Sequence, residues 1–225
     1  MRMDGARRIG GRRGDRRAAT LVLVGAAAVV LANLVAAWLH EETGLFADTI
    51  SNLAAGRYGW VLDTALVLFA VGMAAVGWAL WRYRLDGWRW HAGAVLTGLV
   101  ALAIAIIALY NKYGDGDTGG TTIHLEVVIG MAVAFTMLTW LLAPGLSRVG
   151  DGWAAFSALM GFGWLLIGLA YFFLAPDGWD GLIERIAAGF MVMWALGMAL
   201  LVGREREARE VWGGRGVAAG SARST

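Results

Sequence analysis

The chain has 225 residues, of which 59% are hydrophobic and only 16% are charged, with a formal net charge of +2. An ordinary soluble domain is about 45–50% apolar and about 25% charged, so this sequence has too little polar surface for a water-soluble globule. Soluble enzyme folds, DNA-binding modules and disulfide-stapled scaffolds are excluded on that ground. The sequence contains no cysteine, which also excludes thiol catalysis, zinc–thiolate sites and iron–sulfur clusters.

Continuous apolar runs of about 20 residues predict helices that cross a membrane. There are six, at residues 18–39, 60–81, 92–110, 123–143, 153–174 and 182–202. The breaks between them are too short for a soluble domain, and the runs lack the alternating polarity of transmembrane β-strands. We therefore predict an all-α fold, a polytopic transmembrane bundle of six helices. A basic segment at residues 1–17 precedes the bundle, and a disordered tail at residues 203–225 follows it.

The first apolar run follows two Arg-Arg pairs, a pattern that an export signal also shows. A signal peptide has an apolar region of about 7–15 residues and a cleavage site between small residues. The run at residues 18–39 is longer and has no clear cleavage site, so we interpret it as an uncleaved first span.

The basic residues predict the orientation of the bundle in the cell membrane. If the N-terminus is cytoplasmic, 16 of the 19 Lys and Arg residues fall on the cytoplasmic side, and only Arg57, Lys112 and Arg185 fall outside. Positive charge favours the cytoplasmic side, which predicts that both termini are cytoplasmic. The basic sequence pI of 9.3 is then explained by arginines at the cytoplasmic ends of the spans, where they set the topology and attract anionic lipid headgroups. No nucleic-acid partner is therefore expected.

Polar groups within or beside apolar spans are costly and are therefore candidates for function. In this sequence they cluster near the predicted outer ends of the spans. The candidate outer polar cluster consists of His40, Asp48, Ser51, Asn52, Asp63, His124, Glu126 and Arg185. Asn33, inside the first span, is interpreted as an isolated polar group.

The longest connection, residues 40–59, has a pattern of its own. Its apolar residues, Leu45 to Ala54, recur at spacings of three and four, while Asp48, Ser51 and Asn52 fall on the other face. This predicts a short amphipathic helix, either lying on the outer membrane surface or folded as a lid over the mouth of the bundle. In a simpler alternative, Asp48 and Asn52 only cap and solvate a turn.

The charged candidates do not form the pattern of a metal site. His40, Asp48, His124 and Glu126 could converge at the outer mouth, but His124 and Glu126 are two residues apart and point about 200° apart around a helix. We therefore predict no metal and no cofactor.

Arg185 lies at the start of a span and needs a partner there. An ion pair with Glu126 or Asp63 is expected, and binding of an anion or a lipid headgroup is the alternative. Glu184 is expected to face the membrane interface.

Several short motifs resemble those of a known family. Asp48-Thr-Ile-Ser51-Asn52-Leu53, followed by Gly56 and Gly59-Trp60, is similar to the first-loop signature of domain of unknown function 998, a family of six-span prokaryotic membrane proteins. His124 at the start of the fourth span and Gly181-Leu-Ile-Glu-Arg185 at the start of the sixth resemble its other recurring pieces. The resemblance covers residues 18–202. It implies six helices with an outer polar cluster, and no established activity.

Three functional hypotheses remain open. The favoured one is a protein without catalytic activity that binds a membrane lipid, a small amphiphile or a membrane-protein partner through the outer cluster. The second is a membrane lipid hydrolase, metal-assisted or not, in which His40, Asp48 and His124 bind a metal or serve as acid and base. The third is a small-solute transporter, although no internal repeat or charge in the middle of a span is evident.

Overall fold

The computed structural model describes residues 13–39, 46–83, 85–110, 123–174, 176 and 178–221. Within these ranges the chain forms seven helices and no strand. They are α1 (Arg13–Leu39), α2 (Ile50–Ala55), α3 (Gly59–Tyr83), α4 (Gly87–Leu109), α5 (Ile123–Ser147), α6 (Asp151–Phe173) and α7 (Asp180–Ser221).

Six of these helices are long and apolar enough to cross a membrane, and α2 is the exception. The six spans predicted from the sequence are confirmed, with ends that differ by a few residues. One difference concerns the fourth span, which was predicted to end at residue 143. Helix α5 instead continues through Pro144 to Ser147. Pro144 lies close to the end of the helix, where losing one backbone hydrogen bond disturbs few following turns.

The last helix continues beyond its apolar span, which ends at Gly203. Its backbone is helical to Ser221. The first residues of this extension, 204–210, are Arg, Glu and Ala, which have high helix propensities.

The six long helices pack in chain order around a ring, and α7 closes the ring by packing against α1. The contact between α1 and α3 is especially close because two glycines face the partner backbone. A Cβ at Gly25 would lie 2.7 Å from the Cα of Phe69, and one at Gly72 would lie 2.9 Å from the Cα of Val22. Larger residues would force these helices apart.

The two ends of the bundle differ in how they are filled. Away from α2, large side chains pack densely, and the fully buried indole of Trp90 donates a 2.6 Å hydrogen bond to the carbonyl of Leu80. At the other end, which we call the α2 end, the ring encloses a cavity and α2 folds across it. The fold therefore places its open space beneath the short helix.

Candidate functional site: a cavity closed by a short helix

Helix α2 is held in place by its own cap and by an apolar face. The hydroxyl of Thr49 accepts a 3.0 Å hydrogen bond from the backbone N–H of Asn52, which caps the N-terminus of the helix. Leu53 and Ala54 are buried against α1 and α3, in a cluster with Ala32 and Leu62. The predicted short amphipathic helix is confirmed, and α2 packs as a lid on the bundle.

Glu184 of α7 anchors the first turn of α2. Its carboxylate accepts a 2.6 Å hydrogen bond from the backbone N–H of Ile50 and a 3.2 Å hydrogen bond from the hydroxyl of Ser51. The backbone N–H of Leu182 also donates to the carbonyl of Phe46, at 3.0 Å. The expectation that Glu184 faces the membrane interface was wrong, because α7 is rotated so that this residue points towards α2 and the cavity.

Ser51 also contacts α5 through His124. The Oγ of Ser51 lies 3.2 Å from Nε2 of His124, and the other ring nitrogen, Nδ1, lies 3.4 Å from the carbonyl oxygen of Tyr110. One hydroxyl on α2 is thus placed between an imidazole on α5 and a carboxylate on α7. Ser51 and His124 belong to the outer polar cluster predicted from the sequence, whereas Glu184 does not.

Arg185 lies beside Glu184 and contacts α1 and the residues just before α2. Its guanidinium donates to the side-chain oxygen of Asn33 at 2.9 Å, to the carbonyl of Asp48 at 2.6 Å and to the carbonyl of Gly181 at 2.8 Å. The carboxylates of Asp48 and Glu184 attract it electrostatically. Asn33 is therefore not the isolated polar group that the sequence indicated, and the ion pair of Arg185 with Glu126 or Asp63 stays a prediction.

The other members of the predicted cluster occupy different surroundings. Asp48, Asn52 and Asp63 are half-buried, whereas Glu126 is exposed. His124 lines the cavity and Glu126 does not, which confirms that these two residues face different ways. His40 lies outside the described residues.

The cavity has a volume of about 500 Å³, within the range of small-molecule sites. All seven helices contribute to its wall, which is mostly apolar. Representative apolar lining residues are Val29, Phe69, Ile104, Met131, Trp164 and Met191. Its polar lining residues are Thr49, Ser51, His124, Tyr171 and Glu184.

These polar residues all lie at the α2 end of the bundle. The cavity is therefore polar at that end and apolar along the rest of its wall. Along α7 the lining residues run from Ile183 to Val192, a rise of about 14 Å at 1.5 Å per residue. Within the part of the chain that the structure describes, no group of three or more His, Asp or Glu side chains could hold a metal ion.

Comparison with known proteins gives one match. The family described as "Protein of unknown function (DUF998)" matches residues 23–201, which covers most of the chain and includes all or most of each of the six spans. No curated protein and no solved structure matches the chain significantly. The resemblance indicated by the loop motif and the starts of the fourth and sixth spans is confirmed, and the chain belongs to the DUF998 family of proteins of unknown function.

Proposed function

We propose that this membrane protein binds a single-chain lipid or a small amphiphile, with the hydrocarbon chain in the cavity and the polar group beneath α2. The observation that carries the proposal is the distribution of polarity along the cavity wall. The polar residues Ser51, His124 and Glu184 gather at one end, and the remaining wall is formed mainly by aliphatic and aromatic side chains. This matches the shape of a molecule with one polar end.

We also propose that the polar end of the cavity lies at the outer surface of the cell membrane. This placement rests on the arginine distribution, because the α2 end carries few basic residues and the opposite end carries many. An amphiphile in the outer leaflet would then reach the cavity with its polar group at the depth of the lipid headgroups.

A substitution that fills the cavity tests binding. Gly168 of α6 lines the cavity, and a Cβ at this position would have no atom within 4 Å. We expect Gly168→Leu to fold normally and to lower the occupancy of dodecylamine at least tenfold, because the new side chain takes the space of the alkyl chain. Native mass spectrometry of the detergent-solubilised protein measures the occupancy.

Gly130→Leu is the matched control. Gly130 is exposed on α5, also has open space at the Cβ position and does not line the cavity. It should leave dodecylamine occupancy unchanged. Equal occupancy in the wild-type protein and in Gly168→Leu would show that the alkyl chain does not occupy the cavity.

A further inference from the structure

The hydroxyl of Ser51 lies between two groups that can accept its proton. Its Oγ is 3.2 Å from Nε2 of His124 and 3.2 Å from Oε1 of Glu184. A serine hydroxyl has a single proton, which rotates towards one acceptor at a time. The three residues come from three helices, and all line the cavity, so the hydroxyl meets whatever occupies the polar end.

The surroundings of His124 favour the form of the imidazole that can act as a base. The carbonyl of Tyr110 can only accept a hydrogen bond, so its contact with Nδ1 favours a proton on that nitrogen. Nε2 then carries a lone pair towards Ser51. A serine next to a histidine that is oriented through its other nitrogen is the arrangement that activates a hydroxyl as a nucleophile.

We propose that Ser51 and His124 hydrolyse an ester whose acyl chain occupies the cavity, an inference that rests on the proposed binding of single-chain amphiphiles. Ser51 Oγ attacks the ester carbonyl carbon while its proton passes to Nε2 of His124. The bond from this carbon to the alcohol oxygen then breaks, and the departing alcohol takes the proton from His124. This leaves an acyl group on Ser51.

Water completes the reaction. A water molecule attacks the acyl carbon and gives one proton to His124, the bond to Ser51 Oγ breaks, and His124 returns that proton to Ser51. One ester and one water become one carboxylic acid and one alcohol, with no oxidant or metal required. The protein ends in its starting state.

Two further residues of the cavity wall support these steps. Both Nε2 of His124 and Oε1 of Glu184 lie within hydrogen-bond distance of one atom, so they are at most twice that distance apart. The Glu184 carboxylate therefore stabilises the positive imidazolium that forms during each attack, and its contact with the N–H of Ile50 positions Ser51. Tyr171 lines the same cavity, and its hydroxyl can donate a hydrogen bond to a carbonyl oxygen that becomes negative.

The experiment combines covalent labelling with turnover. The purified protein is treated with a long-chain fluorophosphonate and analysed by peptide mass spectrometry, and hydrolysis of p-nitrophenyl decanoate is followed in parallel. We expect the label on Ser51 in the wild type, and neither label nor turnover in Ser51→Ala. His124→Gln should slow both by about 10²–10⁴-fold, the usual contribution of a general base. Ser147→Ala, an exposed serine at the opposite end, is the control.

A cysteine variant separates catalysis from a structural role of Ser51. The protein has no cysteine of its own, so Ser51→Cys introduces a single thiol. We expect iodoacetamide to react with Ser51→Cys at least tenfold faster than with the double variant that also carries His124→Gln, because the imidazole draws the thiol proton away. Equal thiol reactivity in the two variants would overturn the role of His124.

The outcomes for binding and for catalysis can be distinguished. If dodecylamine binds in the cavity but Ser51 is not labelled and the ester is not hydrolysed, the catalytic inference fails and the proposed binding function stands. If Ser51→Ala hydrolyses the ester at the wild-type rate, Ser51 is not the nucleophile. If dodecylamine does not bind, the proposed function fails, whatever the reactivity of Ser51.

Discussion

The charge of a single side chain should decide which headgroup the cavity accepts. Among the described residues that line it, Glu184 is the only carboxylate, and there is no Lys or Arg. A carboxylate has about four lone-pair positions, and the hydrogen bonds from Ile50 and Ser51 do not occupy all of them. An ammonium or hydroxyl group can therefore donate to Glu184, whereas a second carboxylate is repelled.

This leads to a prediction about Glu184→Gln. A charge-assisted hydrogen bond contributes about 1.5–3 kcal/mol, so we expect the wild-type protein to prefer dodecylamine over dodecanoate by about tenfold or more. Glu184→Gln should abolish most of this preference, as measured by competition binding at low ionic strength. Glu126 is an exposed carboxylate on α5, and Glu126→Gln should retain the preference. A wild-type preference for dodecanoate would contradict the role of Glu184.

The same repulsion suits the proposed reaction. The hydrolysis of an ester leaves a carboxylic acid, which becomes a carboxylate next to Glu184. The product would thus be held less tightly than the uncharged ester, which favours its release.

At the residue scale, helical geometry alone predicted which way some side chains face, but it could not predict which partners others contact. The 100° turn per residue is enough to separate His124 from Glu126. Glu184 and Asn33 required tertiary information, because a polar residue in a span acquires its role from the helix that packs against it. The sequence does not give the rotation of α7 or the position of α1 beside it, so it could not predict that Arg185 contacts Asn33.

At the scale of elements, the docking of α2 depends on a glycine. Gly181 is buried, and a Cβ there would overlap the carbonyl of Asp48 and approach the guanidinium of Arg185. This glycine lets the first turn of α7 approach the chain just before α2. The short distance then allows Glu184 and Arg185, on the next turn of the same helix, to reach the lid.

We predict that Gly181→Ala loosens α2 without unfolding the bundle. The added methyl group would displace Asp48, and a loss of 1–2 kcal/mol in docking corresponds to about a 5–30-fold change in the open population. The backbone amides of Asn52 and Leu53 should exchange with deuterium faster by about that factor. Gly189→Ala, at a position on α7 with open space around it, should leave their exchange unchanged, and an unchanged rate in Gly181→Ala would contradict this role.

The amphipathic helix shows what pattern can and cannot predict at this scale. The spacing of Ile50, Leu53 and Ala54 indicated its existence and its apolar face. Whether this helix lies on the membrane surface or packs as a lid depends on the helices beside it. Here Ala32 and Ala36 of α1 are small enough to leave space in which Leu53 is buried. Small residues on a neighbouring helix are not recognisable in advance as a docking surface, because they are common throughout these spans.

At the scale of the whole molecule, the six spans were predictable because hydropathy and length alone define them. The cavity was not, because it results from the volumes of side chains on seven helices. Its wall near Gly168 and Ala188 is lined by small residues, whereas the opposite end of the bundle is filled by Trp90, Trp194 and Leu142.

The absence of native cysteine allows a direct test of orientation. We predict that Arg57→Cys, exposed at the α2 end, reacts with a membrane-impermeant maleimide in intact cells, and that Ser147→Cys, exposed at the opposite end, reacts only after the membrane is permeabilised. The two positions should differ in labelling at least tenfold. Labelling of Ser147→Cys alone in intact cells would reverse the predicted orientation and place the cavity mouth in the cytoplasm.

The closure of the ring by α7 against α1 has a consequence during biosynthesis. The N-terminal spans emerge from the ribosome first, and they can pack against their neighbours in sequence as they enter the membrane. The wall of the cavity stays open until the last span arrives, and that span also brings Glu184 and Arg185. A chain interrupted before α7 therefore has no pocket and no anchored lid, so an incompletely synthesised protein would be inert towards its ligand.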